Sequence, residues 1–77
     1  MVSLCDMELD RVGIIKNIDA HSDMKRRFMD IGIVPGIEII RYLEDIGKGI
    51  SAYMIMDSLI AIRNRDVKGI KVIYEEF

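Results

Sequence analysis

Asp23–Gly36, DMKRRFMDIGIVPG, decides the fold, because it holds the densest local structural signals and lies between strand-like segments. Ser22, just ahead of it, is suited to cap a helix by accepting backbone N–H bonds that the first turn leaves unpaired. Met24, Phe28 and Ile31 recur at i, i+4 and i+7, one apolar face of a 3.6-period helix. Lys25, Arg26 and Arg27 take the remaining surface, with Arg26 and Asp30 spaced for an i,i+4 ion pair. Gly32 is placed to adopt the left-handed conformation that closes a helix. Pro35–Gly36 then suits the centre of a type II turn, Pro fixing φ and Gly accepting a positive one. So short a helix is marginal alone in water, so its apolar face must rest on something else.

Outward from this stretch the chain reads as short strands. Val12–Ile18 (VGIIKNI) precedes the helix, with Gly13 permitting a bulge or a close approach, and Asp19–Asp23 (DAHSD) is a polar turn. Ile37–Leu43, Ile50–Met56, Leu59–Arg63 and Ile70–Tyr74 follow. Glu44–Gly49 offers Gly47 and Gly49 for positive φ, Asp57–Ser58 is a tight turn, and Asn64–Gly69 suits a single helical turn. Met1–Arg11 is a lead-in anchored by Leu4, Met7 and Leu9, and the tail Glu75–Phe77 is expected to fray. The expectation is a mainly β fold: a small five-stranded barrel with one short α-helix inserted after the first strand. Closure would remove exposed edges in a chain too small to cover them otherwise. Ile39 and Ile40 are neighbours, as are Met54, Ile55 and Met56. The outer face must therefore be covered too, by the helix or by another chain.

At 77 residues the chain is one domain, 1–77, near the lower limit for a single core. Such a core supplies only about 3–5 kcal/mol net, which favours a partner or a homo-oligomer. The net charge of −2 and pI of 5.3 give no basic excess for a phosphate backbone, so no nucleic acid is expected. A lone Cys5 fits a reducing, cytoplasmic setting. Asp6, Glu8, Asp10 and Arg11 interrupt any secretory signal. No run approaches the roughly 20 apolar residues of a membrane span, so no direct membrane insertion is expected.

The motifs, taken in order, resemble the ferrous iron transport protein A family, FeoA. They are Arg27-Phe28, Gly32-Ile33-Val34-Pro35-Gly36, Ile60-Ala61-Ile62-Arg63 and Ile70-Lys71-Val72, after an apolar beat at Leu4, Met7, Ile15 and Ile18. Asp10 and Asp57-Ser58 stand where glycines are common in that family, and Lys48-Gly49 lacks a proline often found there. The resemblance implies an SH3-like barrel and a non-enzymatic accessory role in bacterial ferrous iron uptake. Its implied partner is the FeoB-like membrane GTPase transporter, through which the chain would be membrane-associated. The same barrel also ends the metal-dependent repressors, which gives a second reading as a divalent-metal-sensing module.

Candidate chemistry is sparse. Cys5 and His21 could pair only in space, and a Cys among Met and Leu residues more often serves as a small hydrophobe. Gly47-Lys48-Gly49 lacks the length and hydroxyl of a phosphate loop, so no enzyme is expected. Asp19, His21 and Asp23 alternate O, N and O donors suited to a divalent transition metal, Fe²⁺ or adventitious Zn²⁺, although the same residues are ordinary turn formers. No cofactor is required. Lys25, Arg26 and Arg27, with Arg63 at the end of LIAIR, are the candidate docking cations; a solvated helix face is the blander alternative. Gly32, Pro35 and Gly36 are structural. Met24, Met29, Met54 and Met56, like Tyr42, Tyr53 and Tyr74, are expected to pack in the core.

Overall fold

Schellman geometry ends the inserted helix, and it shows how the local sequence docks that helix on the sheet. In the computed structural model, which describes residues 1–47 and 49–75, α1 spans Ser22–Asp30. Gly32, at φ +93°, donates its N–H to the Met29 carbonyl at 3.0 Å, and Ile33 donates to Phe28 at 2.8 Å. Those two bonds define the Schellman motif, whose accompanying apolar contact here is Phe28 with Ile33, 3% and 0% exposed. The Val34–Ile37 turn follows as expected, with Ile37 N–H on the Val34 carbonyl at 3.3 Å and Gly36 at φ +93°.

The strands are β1 Val2–Ser3, β2 Val12–Ile18, β3 Glu38–Leu43, β4 Ile50–Ile55, β5 Ser58–Arg63 and β6 Ile70–Tyr74. They form one antiparallel sheet in the order β1-β6-β2-β3-β4-β5, with single 3-10 turns at Leu4–Asp6 and Asn64–Asp66. The five expected strands are present, and a two-residue strand joins ahead of them because the lead-in lies along β6, Val2 opposite Val72. Register shifts interrupt β2–β6 between Ile15 and Asn17, and β3–β4 between Arg41 and Leu43. These irregularities bend the strands and help the sheet curl. Among the described residues no ladder joins β5 to β1, so closure is left to side chains, such as the Tyr53 hydroxyl donating to the Leu4 carbonyl at 3.4 Å.

Leu4, Ile15, Ile33, Ile39, Tyr53, Val67 and Val72 fill the interior with Phe28 of α1. Each such side chain contributes about 1.5–3 kcal/mol of transfer free energy. Gly13 allows the buried Met7 to approach: a Cβ there would lie 2.8 Å from the Met7 methyl carbon. Burial raises the Tyr53 phenol above its ordinary value of 10.0, against the opposing pull of the Arg41 charge. The unfolded chain therefore loses this proton first as pH rises past 10, and stability falls from there upward. Urea midpoints measured on either side of about pH 10 should show that fall, and Tyr53→Phe should remove its share.

Several local expectations are corrected. His21, not Ser22, is the N-cap, and its side chain makes no capping bond. Arg26 and Asp30 make no ion pair among the described residues. The tight turn is Met56–Asp57, both at positive φ (48° and 68°), one residue earlier than expected. Asp57, like Asp10 at φ 64°, thus holds a left-handed position that suits glycine, and Asp tolerates it better than most residues. Glu75 is tied to the sheet, donating to the Val12 carbonyl at 2.9 Å, while Glu76 and Phe77 of the expected frayed tail lie outside the described residues. Met29 and Met56 (62% and 67% exposed) and Tyr42 face solvent rather than the core.

Candidate docking surface

Helix period separates the two sides of α1: Phe28 points into the sheet, and Lys25, Arg26 and Arg27 are exposed. None of the three has an ion-pair partner among the described residues. Beside them runs a mostly apolar groove of about 220 Å³, lined by Asn17, Ile18, Lys25, Met29, Val34 and Pro35 among others. Pro35 and Gly32 thus act at one remove, since they fix the turn that forms the groove wall.

Arg63 is not part of this patch. It lines a separate cleft of about 480 Å³ with Gly49, Asn64, Arg65 and Lys68. The structure therefore divides the four candidate cations between α1, where Lys25 lines the apolar groove and Arg26 and Arg27 are its helix neighbours, and a basic cleft at the end of β5. Among the described residues, Asp66 is the one acid within ion-pair distance of this cleft's cations, 4.0 Å from Arg65 Nε.

Asp19 and His21 lie on the loop into α1 and Asp23 in its first turn, all three exposed. Among the described residues, no three His, Cys, Asp or Glu side chains group as they would to hold a metal ion. Cys5 is half-buried against the core with its Sγ 3.3 Å from Ser3 Oγ, and no hydrogen bond joins it to His21 among the described residues.

Arg41 escaped notice in the sequence. It is 7% exposed, donating from Nη1 to the Met7 carbonyl and from Nη2 to Ser51 Oγ, both at 3.1 Å. Ser51 in turn donates to Asn64 Oδ1 at 2.7 Å, so the buried guanidinium braces the lead-in and one wall of the basic cleft. Its carboxylate partner, Glu44 at 3.4 Å, is largely in solvent. The signal was present: Arg41 stands two residues after Ile39 and shares its inward face.

A curled antiparallel sheet with one helix between its second and third strands defines a small SH3-like barrel. The FeoA domain matches over residues 2–74, and the chain belongs to that family. Its fold is similar to the crystal structure of an iron uptake regulatory protein (FeoA), at 20% identity and TM-score 0.85, covering 96% of each chain. It is also similar to Stenotrophomonas maltophilia FeoA complexed with zinc, at 18% identity and TM-score 0.74, covering 94% of this chain and 89% of that one. The manganese regulator SloR shares the fold at 11% identity and TM-score 0.84, with 96% of this chain covering 34% of that protein. No curated protein sequence matches the chain.

Proposed function

We propose that this chain is a non-enzymatic accessory of ferrous iron uptake that docks on the cytosolic face of a FeoB-like membrane GTPase transporter. The observation that carries this reading is the α1 groove: exposed Met29 and Pro35 lie beside the cation of Lys25, with Arg26 and Arg27 nearby on the same short helix. Apolar contact supplies affinity on such a surface, and the unpaired cations select an acidic partner face. Family membership supports the iron-transport setting. Among the described residues no helix is long and apolar enough to cross a membrane; in this reading the chain reaches the membrane through its partner.

The test is capture of the transporter from native membranes, with iron uptake measured in parallel. Lys25→Glu combined with Arg26→Glu should weaken capture by about tenfold or more, a change of about 1.4 kcal/mol, and should lower uptake. Both side chains are exposed, so the variant should keep the wild-type circular dichroism spectrum. A folded variant with undiminished capture and uptake overturns the proposal.

The second reading, a divalent-metal-responsive module, draws on the zinc and manganese named for two of the similar structures. Its ligands here would be Asp19, His21 and Asp23. Anaerobic calorimetry with Fe²⁺ separates the readings, because only metal sensing expects stoichiometric heat that His21→Ala abolishes.

A further inference from the structure

We infer that the outer edge of β5 pairs with β5 of a second copy of this chain, antiparallel, about a two-fold axis through Ala61. This does not depend on the transporter reading. The sheet has two terminal strands, and they differ. β1 is only two residues long, too short to template another strand. β5 has six residues, SLIAIR, with no proline, no lysine and no bulge, and its register against β4 runs without a shift from Ile55–Ser58 to Ile50–Arg63. Its one charged residue, Arg63, stands at the strand's last position, so the edge from Ser58 to Ile62 carries none of the devices that normally blunt one.

Hydrogen-bond parity fixes which groups face outward. The two-residue turn Met56–Asp57 makes Ile55 and Ser58 the closing pair that exchanges both backbone bonds. Alternation continues to Asn64, whose N–H donates to the Gly49 carbonyl at 2.7 Å. The N–H and C=O groups of Leu59, Ala61 and Arg63 therefore point away from β4. Among the described residues they make no backbone hydrogen bond on that side. The side chains of these three residues are exposed as well, whereas Ile60 and Ile62 are half-buried.

A two-fold through Ala61 satisfies every one of these groups. Ala61 meets Ala61 of the second copy, where its small side chain leaves room at the axis, and Leu59 meets Arg63 in both directions. Ile60 falls opposite Ile62 on the other face. Beyond the strand ends, the Met56–Asp57 turn of each copy comes to the end of β5 at which the other copy's Asn64–Asp66 turn carries Arg65. The carboxylate on the Met56–Asp57 turn thereby faces the cleft that holds Arg63, Arg65 and Lys68. An acidic turn at one end of an edge and a basic cleft at the other are complementary only when the strands run antiparallel, which argues for a second copy as the occupant. Association then stops at two, because the edges left over are the two short β1 strands. The pairing uses no residue of the α1 groove, so a dimer carries two such grooves.

Sedimentation velocity across a concentration series tests this, together with amide hydrogen exchange. The sedimentation coefficient should rise with concentration, and the amides of Leu59, Ala61 and Arg63 should become protected in step. Ala61→Lys alone and Ala61→Glu alone should each abolish the dimer, since like charges meet at the axis, and an equal mixture of the two should restore it. Ala61 is exposed, so both variants should keep the wild-type circular dichroism spectrum. A wild-type chain that stays monomeric, association that survives in Ala61→Lys, or amide exchange that ignores concentration each overturns the pairing. So does protection of the same amides by an acidic extended peptide in a chain that remains monomeric.

Discussion

Gly69→Ala should leave this chain unfolded. A Cβ at Gly69 would stand 2.0 Å from the carbonyl oxygen of Asp19 and 3.0 Å from its carbonyl carbon. The obstruction is backbone, and that backbone is fixed by the Asp19 N–H bond to the Gly69 carbonyl at 2.9 Å. Relief requires separating the end of β2 from the start of β6, the most extensively paired junction in the sheet alongside β4–β5. A strain of more than about 3 kcal/mol approaches the whole net stability of so small a core. Loss of the folded baseline in urea and of near-ultraviolet circular dichroism would show it. Gly13→Ala is the contrasting case, since its obstacle is the flexible end of Met7, and it should cost far less. A Gly69→Ala variant that unfolds at the wild-type midpoint would mean that the β2–β6 junction is not as close as described.

Phe28→Ala should be the most damaging truncation of the inserted helix. Phe28 is the one buried residue of α1, and it meets Ile33 across the Schellman turn. Removing an aromatic ring from a packed core costs about 3–5 kcal/mol, again comparable to the whole. The nine-residue α1 has no cap from His21, and none of its cations is ion-paired among the described residues, so little else holds it down. The expected result is a large drop in urea midpoint, with a smaller drop for Phe28→Leu, which keeps most of the apolar contact. Equal midpoints for Phe28→Ala and wild type would mean that α1 is held by something other than its buried face.

Much of this architecture was legible from residue order, for identifiable reasons. Gly32, Pro35 and Gly36 each need a specific φ, so the helix end and the turn after it were fixed by residue type alone. β2 and β6 matched to the residue because turn formers bound their β-branched runs. Val2–Ser3 was missed because two residues carry no periodicity, and only their alignment with Val72 and Lys71 makes them a strand. The turn at Met56–Asp57 was misplaced because Met is an unfavourable residue at positive φ, and the constraint comes from the regular β4–β5 ladder. The candidate surface was half legible. The cluster Lys25–Arg27 announces itself, but the allocation of Arg63 to a different cleft depends on how the sheet curls. Arg41 was hidden because charge suggests solvent, while its position two residues beyond Ile39 required the interior.

The place of β6 between β1 and β2 also bears on how the molecule is made. Ile15 must wait for Val72 before it has a neighbour on that side, so a polypeptide emerging from the ribosome carries β2 half-satisfied until nearly all of these residues have been synthesised. Acquisition of the native state is therefore late and governed by distant encounters, which slows it. During that interval the nascent protein exposes sticky aliphatic sequence to its surroundings, and holding factors in the cell would have the most to do then.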